Sequence, residues 1–224
     1  MKIAVVTALF GNVGNLHTPR TLFDGVDYVA FVDRERDCQG WRQIISPDFS
    51  IETDQFRNRR NAKIYKIMPH LFLPDYDFWI WADPTHELVT PPQQVCEHYF
   101  TEADIGVFKH THRSCAYQEA DEIKRLGIDH PNVIERQVEF YRRVGFPEQY
   151  GLFELPTFIR KNTDRVRKLN LRWWEQICRF SSRDQVSFPF VLWSDQIDPI
   201  ILPGLSNGGL HKNEIVPQVR QKGT

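Results

Sequence analysis

The feature that most constrains the fold is a short apolar stretch, Phe78–Ala82, which ends abruptly at Asp83 and Pro84. An unbroken apolar run of this length predicts a strand that is buried on both faces of a sheet. Proline cannot continue the ladder, so the strand should end at Asp83. In open α/β sheets, ligands bind at the carboxyl ends of such strands. Because a buried carboxylate is costly unless it is paired or binds a cation, Asp83 is either a site residue or the cap of the next turn.

Predicted strands and helices alternate along the chain, which indicates an α/β fold whose sheet has parallel strands in its first half. Strands are predicted at residues 2–8, 27–33, 78–82, 104–108 and 155–160. Helices are predicted at residues 53–73, 115–126, 132–144 and 164–180, with a further helix opening at Pro91 and Pro92. Thr53 is the expected N-cap of the first helix, and Pro69 should kink or end it early.

The whole chain, residues 1–224, is predicted to form a single domain, because it contains no internal repeat, low-complexity tract or linker. Its last part, from about residue 201, is rich in glycine, proline and asparagine. Such a composition is typical of a loop, and we expect this loop to fold back over the site.

Composition excludes several classes of protein. The formal net charge of -1 argues against a protein that coats nucleic acid or anionic membrane. No stretch of about 18 apolar residues is present, so no transmembrane segment is expected, and the amino-terminal apolar run is too short for a signal peptide. The four cysteines form no CxxC pair and are expected to be reduced thiols. Together these features predict a cytoplasmic protein.

A basic segment precedes the Asp83 strand. Arg57, Arg60 and Lys63 lie along neighbouring faces of the predicted helix. Such a cluster can bind phosphate through charge-assisted hydrogen bonds, although a solvated basic helix face has the same pattern. The glycine-containing turn at residues 7–14 lacks the full dinucleotide fingerprint and the P-loop sequence, which disfavours both of those sites.

Two further segments carry candidate site residues. Asp184, in the run Arg183-Asp184-Gln185, is either the N-cap of the following helix or an active-site carboxylate. His211 and Lys212 follow a glycine-rich segment that can wrap over a ligand, and the alternative is a disordered tail. A carboxylate together with a histidine suits Mn²⁺ or a similar ion. The basic run at residues 109–113, which contains two histidines, is expected to be a surface loop.

Taken together, these segments resemble the GT-A-type nucleotide-sugar glycosyltransferases, and most closely the plant mucilage-related glycosyltransferase-like family. The resemblance extends over about residues 1–195. The matching segments, in order, are Arg60-Asn61-Ala62-Lys63, Trp81-Ala82-Asp83, Lys109-His110 with Tyr117-Gln118-Glu119-Ala120, Trp173-Trp174-Glu175, and Arg183-Asp184-Gln185-Val186-Ser187-Phe188.

The resemblance implies a GT-A-like, Rossmann-type mixed sheet and a metal-assisted transfer of sugar from a nucleotide-diphosphate donor to an unidentified acceptor. GT-A folds hold Mn²⁺ or Mg²⁺ with an Asp-x-Asp motif. Asp83 matches the first Asp of this motif, whereas Thr85 stands at the second position. The site residues that follow are Asp83 and His211 for the metal, Arg60, Lys63 and Lys212 for phosphate, and Asp184 and Gln185 as the catalytic pair beside the sugar.

The expected nucleoside contacts are Thr7, Ala8 and Asp33, because these residues end the first two predicted strands. Two other functions stay open. One is a nucleotide-sugar binding module that has lost catalysis, which the Thr85 departure favours. The other is a nucleotide-sugar hydrolase, which would share most of the site residues.

Overall fold

The structure, a computed structural model, describes residues 1–12, 14–47, 56–204 and 219–221. The strands are β1 (Ile3–Leu9), β2 (Val26–Val32), β3 (Arg42–Ile45), β4 (Phe78–Ala82), β5 (His86–Leu88), β6 (Ile105–Lys109), β7 (Phe153–Lys161), β8 (Ile200–Ile201) and β9 (Val219–Gln221). The helices are α1 (Arg57–Ile67), α2 (Pro69–Phe72), α3 (Pro92–Tyr99), α4 (Ala116–Arg125), α5 (Pro131–Arg143), α6 (Asp164–Arg179) and α7 (Asp184–Asp195).

Seven of these strands form one mixed sheet in the order β3-β2-β1-β4-β7-β6-β8. The first four pair in parallel, as predicted for the first half of the chain. Strand β7 is antiparallel to both β4 and β6. The α/β fold class and the mixed sheet flanked by helices are therefore confirmed.

Strand β4 lies at the centre of the sheet, and all five of its residues are buried. Trp79 and Trp81 pack on one face in the core that contains residues of α1, α6 and α7, whereas Phe78 and Ile80 pack on the other face with residues of α3. The prediction of a strand buried on both faces is confirmed. Because the parallel strands β1 and β4 are neighbours, their carboxyl ends open at the same edge of the sheet.

The element boundaries agree with the expectation at Pro69 and differ from the expectations elsewhere. Helix α1 ends early, at Ile67, as predicted, and Pro69 opens α2, because proline fits the first turn of a helix but not its interior. Thr53, the expected N-cap, lies outside the described residues. The short strands β3, β5, β8 and β9 were not predicted. The longest of them has four residues, which is too few to show a period.

Part of the carboxyl-terminal segment returns to the body of the protein, since β9 pairs antiparallel with β5. Strand β5 begins three residues after Asp83, so this pairing lies close in sequence to the predicted site. The four cysteines are free thiols, as expected. In the part of the chain that the structure describes, no helix combines the length and apolarity needed to cross a bilayer.

Candidate functional site

A cavity of about 390 Å³ opens at the carboxyl edge of the sheet, between the ends of β1 and β4 and the first two turns of α1. This is the edge at which the sequence places Asp83. The lining residues are Ala8, Leu9, Phe10, Gly14, Asn15, Asn58, Arg59, Ala62, Lys63, Trp81, Asp83, Pro84 and Thr85. Three polar side chains of α1 therefore face the end of β4 across one concave surface.

The turn after β1 lets α1 approach the sheet closely. Gly11 has a φ of +79°, a left-handed conformation that favours glycine. A Cβ at this position would overlap the side-chain amide of Asn58. Glycine thus serves two needs here, the backbone turn and the close packing of the amino-terminal end of α1.

The central feature of the site is a cluster of three charges, Lys63, Lys66 and Asp184. Both ammonium groups contact the same carboxylate oxygen, Asp184 Oδ2, at 2.6 Å from Lys63 Nζ and 2.5 Å from Lys66 Nζ. The Lys66 and Asp184 side chains are only 3% and 5% exposed, and that of Lys63 is 13% exposed. One buried ammonium group, that of Lys66, and one partly exposed ammonium group, that of Lys63, therefore share one buried carboxylate.

This imbalance shifts the pKa values of Asp184 and Lys63. Burial by itself would raise the pKa of Asp184, but the two ammonium groups outweigh burial and hold it well below its usual value. Burial lowers the pKa of Lys63 to about 8, and repulsion from Lys66 adds to this effect while Asp184 opposes it. At neutral pH the cluster carries a surplus positive charge next to the cavity.

Asp83 follows β4, as predicted, and lines the cavity. Its Oδ1 accepts a hydrogen bond of 2.6 Å from the Trp81 indole N–H and lies 3.8 Å from Lys66 Nζ. Its side chain is 36% exposed. Its backbone N–H donates to the Pro156 carbonyl, so the chain leaves the sheet at a fixed position.

Among the residues that the structure describes, this edge of the sheet offers one carboxylate as a ligand for a divalent metal. Asp83 is one carboxylate, and Thr85 supplies no second carboxylate at the motif position. The nearby His86 is buried, and its Nδ1 lies 3.0 Å from the Thr85 hydroxyl. No group of three His, Cys, Asp or Glu side chains that could hold a metal exists within the described ranges.

The other predicted metal ligand, His211, and the predicted phosphate contact Lys212 both lie outside the described residues. The Mn²⁺ or Mg²⁺ site therefore remains a prediction of the resemblance. In the basic run at residues 109–113, Lys109 ends β6 and the other four residues lie in the loop that follows, where His110 Nδ1 accepts hydrogen bonds from the backbone N–H groups of His112 and Arg113. This agrees with the expected surface loop.

The capping alternative for Asp184 is wrong. Arg183 occupies the N-cap position of α7, and Asp184 is the first helical residue, with its carboxylate turned to the lysines of α1. The preceding loop is held by buried Asp129, which accepts hydrogen bonds from the Ser181 hydroxyl at 2.6 Å and the Ser182 backbone N–H at 3.2 Å. Asp129 thus fixes the entry of the chain into α7 and, through it, the position of Asp184.

Gln185 and Arg60 make contacts within the protein. Gln185 accepts from Arg183 and donates to the Phe153 carbonyl, both at 3.3 Å. The Arg60 guanidinium donates to the carbonyls of Ile177 and Phe180, so that it ties α1 to the end of α6. Their predicted contacts with sugar and phosphate remain predictions.

The three predicted nucleoside contacts differ in position. Ala8 lines the cavity, whereas the Thr7 side chain is fully buried. Asp33 follows β2 and accepts from the Gly11 N–H at 2.8 Å and from the Arg36 guanidinium. Burial would raise the pKa of Asp33, but these hydrogen bonds and the nearby arginines hold it below its usual value. Asp33 therefore stays ionised and stabilises the turn after β1.

Sequence reasoning missed two residues of the site, Lys66 and Arg59. Lys66 lies three positions after Lys63, and Arg59 lies four positions before it, so helical spacing puts all three on one face. This spacing is the sequence signal from which Arg59 and Lys66 could have been predicted as neighbours of Lys63. Arg59 lines the cavity and donates to the Ile128 carbonyl at 2.7 Å. The burial of Lys66 has no sequence signal, because lysine is rarely buried.

A family model described as TOD1/MUCI70, glycosyltransferase-like domain, matches residues 1–200. Among curated proteins, the chain is 26% identical over 218 residues to the probable hexosyltransferase MUCI70 of Arabidopsis thaliana. This match covers 84% of the chain but only 37% of that relative. Among solved structures, mouse xyloside xylosyltransferase 1 in its apo form matches 90% of the chain and 84% of its own, with 10% identity and a TM-score of 0.44.

Proposed function

The chain belongs to the TOD1/MUCI70 glycosyltransferase-like family, and from this premise we propose that it transfers a hexosyl group from a nucleotide-diphosphate sugar to an acceptor that remains to be identified. The observation that carries the proposal is the cavity at the carboxyl edge of the sheet, which places Lys63 and Arg59 opposite Asp83. The name of the Arabidopsis relative, a probable hexosyltransferase, supports the choice of sugar class.

In the proposed complex, the diphosphate lies against the first two turns of α1. Backbone N–H groups at a helix amino terminus favour an anion, and Arg59 and Lys63 add two positive side chains on the same wall. The nucleoside lies over the end of β1, where Ala8 and Gly14 leave space. Lys212 would meet the phosphates from the carboxyl-terminal segment, as the resemblance implies.

The chemical logic concerns the leaving group. When the bond between the anomeric carbon and the diphosphate oxygen breaks, negative charge concentrates on the departing nucleoside diphosphate. Preorganised positive groups in a site that excludes water lower this barrier. Asp184 acts by holding Lys63 in place, and Gln185, the next residue of α7, is proposed to lie toward the sugar. Metal assistance, the lack of a nucleic-acid partner and the cytoplasmic location remain predictions.

The test is release of nucleoside diphosphate from a panel of UDP- and GDP-hexoses, measured with and without a mixture of sugar acceptors. Acceptor-dependent release supports the transferase, whereas equal release without acceptor indicates a hydrolase. Binding in a thermal-shift screen without any turnover indicates a binding module, the function that Thr85 favours. A Lys63→Met variant serves as the active-site control and should release at least about tenfold less product, given the strength of hydrogen bonds to charged groups.

A further inference from the structure

We propose that the ammonium group of Lys63 is the counter-ion of the donor diphosphate, and that diphosphate binding at this site requires no divalent metal ion. This inference rests on the proposed function, deepens it, and replaces the expectation of a metal that the resemblance carries. Its physical basis is a mismatch between positive and negative charges in the wall of the cavity.

Lys63 is the lysine whose positive charge is less completely neutralised. Lys66 has two carboxylates nearby, Asp184 at 2.5 Å and Asp83 at 3.8 Å. Lys63 contacts Asp184 only through the oxygen that it shares with Lys66. Asp83 attracts Lys63 without forming an ion pair with it. Because one carboxylate carries a single negative charge, it cannot neutralise two ammonium groups. An ammonium group that is largely removed from water and not fully neutralised destabilises the folded protein. The free protein therefore bears a cost at Lys63 that a bound anion would relieve.

The positions and exposures of the two lysines show which of them can contact an anion in the cavity. Lys63 lines the cavity, whereas Lys66 lies behind it at 3% side-chain exposure. Arg59, one helical turn before Lys63, lines the same wall and adds a second positive group. A diphosphate has the charge and the spread of oxygens to meet both residues, and lysine and arginine are the usual protein partners of phosphate.

Within the described ranges, the opposite wall of the cavity offers a metal ion a single carboxylate, that of Asp83. Thr85 replaces the second carboxylate of the motif, and Asp83 Oδ1 is already bonded to Trp81 at 2.6 Å. A single carboxylate falls short of the several oxygen ligands that Mg²⁺ or Mn²⁺ prefers. The lysine pair supplies the positive charge that a metal would otherwise bring to the leaving group.

The experiment uses inorganic pyrophosphate as the probe, because it contains the diphosphate without any choice of base or sugar. Isothermal titration calorimetry on the full chain compares binding in EDTA with binding in Mg²⁺ and in Mn²⁺. We expect the wild-type affinity in EDTA to lie within about threefold of the affinity with metal. Lys63→Met should bind at least about tenfold more weakly in EDTA, and Lys63→Arg should retain most of the affinity.

Lys124→Met is the matched control, since Lys124 forms an ion pair with Asp121 on α4 and does not line the cavity. It removes the same charge and should bind pyrophosphate as the wild type does. Lys63→Met should fold, because it leaves Lys66 and Asp184 as a one-to-one pair. Its melting temperature should equal or exceed that of the wild type, because the substitution removes a largely desolvated charge that shares its partner with Lys66.

Two results would overturn the proposal: pyrophosphate binding that requires Mg²⁺ or Mn²⁺, or unchanged binding by folded Lys63→Met. The first result is measured on the wild-type protein, so it does not depend on whether any variant folds. The failure of this inference is distinct from that of the proposed function. Hexose transfer together with pyrophosphate binding that requires Mn²⁺ would refute the lysine counter-ion and keep the transferase. Metal-free pyrophosphate binding through Lys63 without any hexose turnover would keep the anion site and refute the transferase.

Discussion

Replacing Asp184 by Asn tests whether the two buried lysines depend on this carboxylate. The change is nearly isosteric, but it removes the one negative charge among the described residues that contacts both Lys63 and Lys66. Removing one partner of a buried ion pair costs about 3–5 kcal/mol, because the other charge remains buried and unpaired. The lower end applies here, since the pKa of Lys63 is already lowered to about 8 and its proton is lost more easily than usual.

At this chain length, 1 kcal/mol corresponds to about 2–4 °C in melting temperature. We therefore expect Asp184→Asn to melt roughly 6–12 °C below the wild type at pH 7, measured by circular dichroism. Asp83→Asn is the matched control. Asp83 is 36% exposed and lies 3.8 Å from Lys66, so its loss should cost at most about 1 kcal/mol.

The pH dependence provides a second check. The folded-state pKa of Asp184 is lowered, so its contribution to stability is present above the ordinary carboxyl pKa, about 4, and is lost as the pH falls below that value. The difference between wild type and variant should therefore shrink below pH 4. It should also shrink above about pH 8, where Lys63 loses its proton. A variant that melts within about 2 °C of the wild type at pH 7 would refute the reasoning, because that shift corresponds to at most about 1 kcal/mol.

Three further predictions concern Gly11, Asp129 and His70. Gly11→Ala should cost about 1–2 kcal/mol, because alanine is strained at positive φ, and should also weaken pyrophosphate binding by displacing Asn58 from the cavity wall. Asp129→Ala should lower the free energy of unfolding in urea by about 1–3 kcal/mol, since Ser181 and Ser182 lose their buried acceptor, whereas Asp129→Asn should lose less. Burial and the nearby arginines lower the pKa of His70 to about 4. Wild-type stability should therefore fall between pH 6.5 and 4, where only the unfolded state binds this proton, and His70→Gln should reduce that slope.

The amino-acid sequence determined the central part of the fold by local pattern alone. An apolar run that stops at a carboxylate and a proline can form little other than a central strand, and β4 ends where this pattern predicts. The cavity lies at the end of that strand and includes Asp83 and Lys63, which the sequence had singled out. These features depend on residues close together along the chain, so spacing and residue type were sufficient.

Only the tertiary structure decided which side chains meet. Asp184 is 121 positions from Lys63, and no local pattern shows that its carboxylate turns from the start of α7 to the lysines of α1. Arg60 shares the basic segment with Lys63 but bonds to carbonyls at the end of α6. Helical periodicity gives the face on which a residue lies, but the element that packs against that face is set by the whole sheet. For this reason the burial of Lys66, and with it the surplus charge beside the cavity, became visible only in the folded chain.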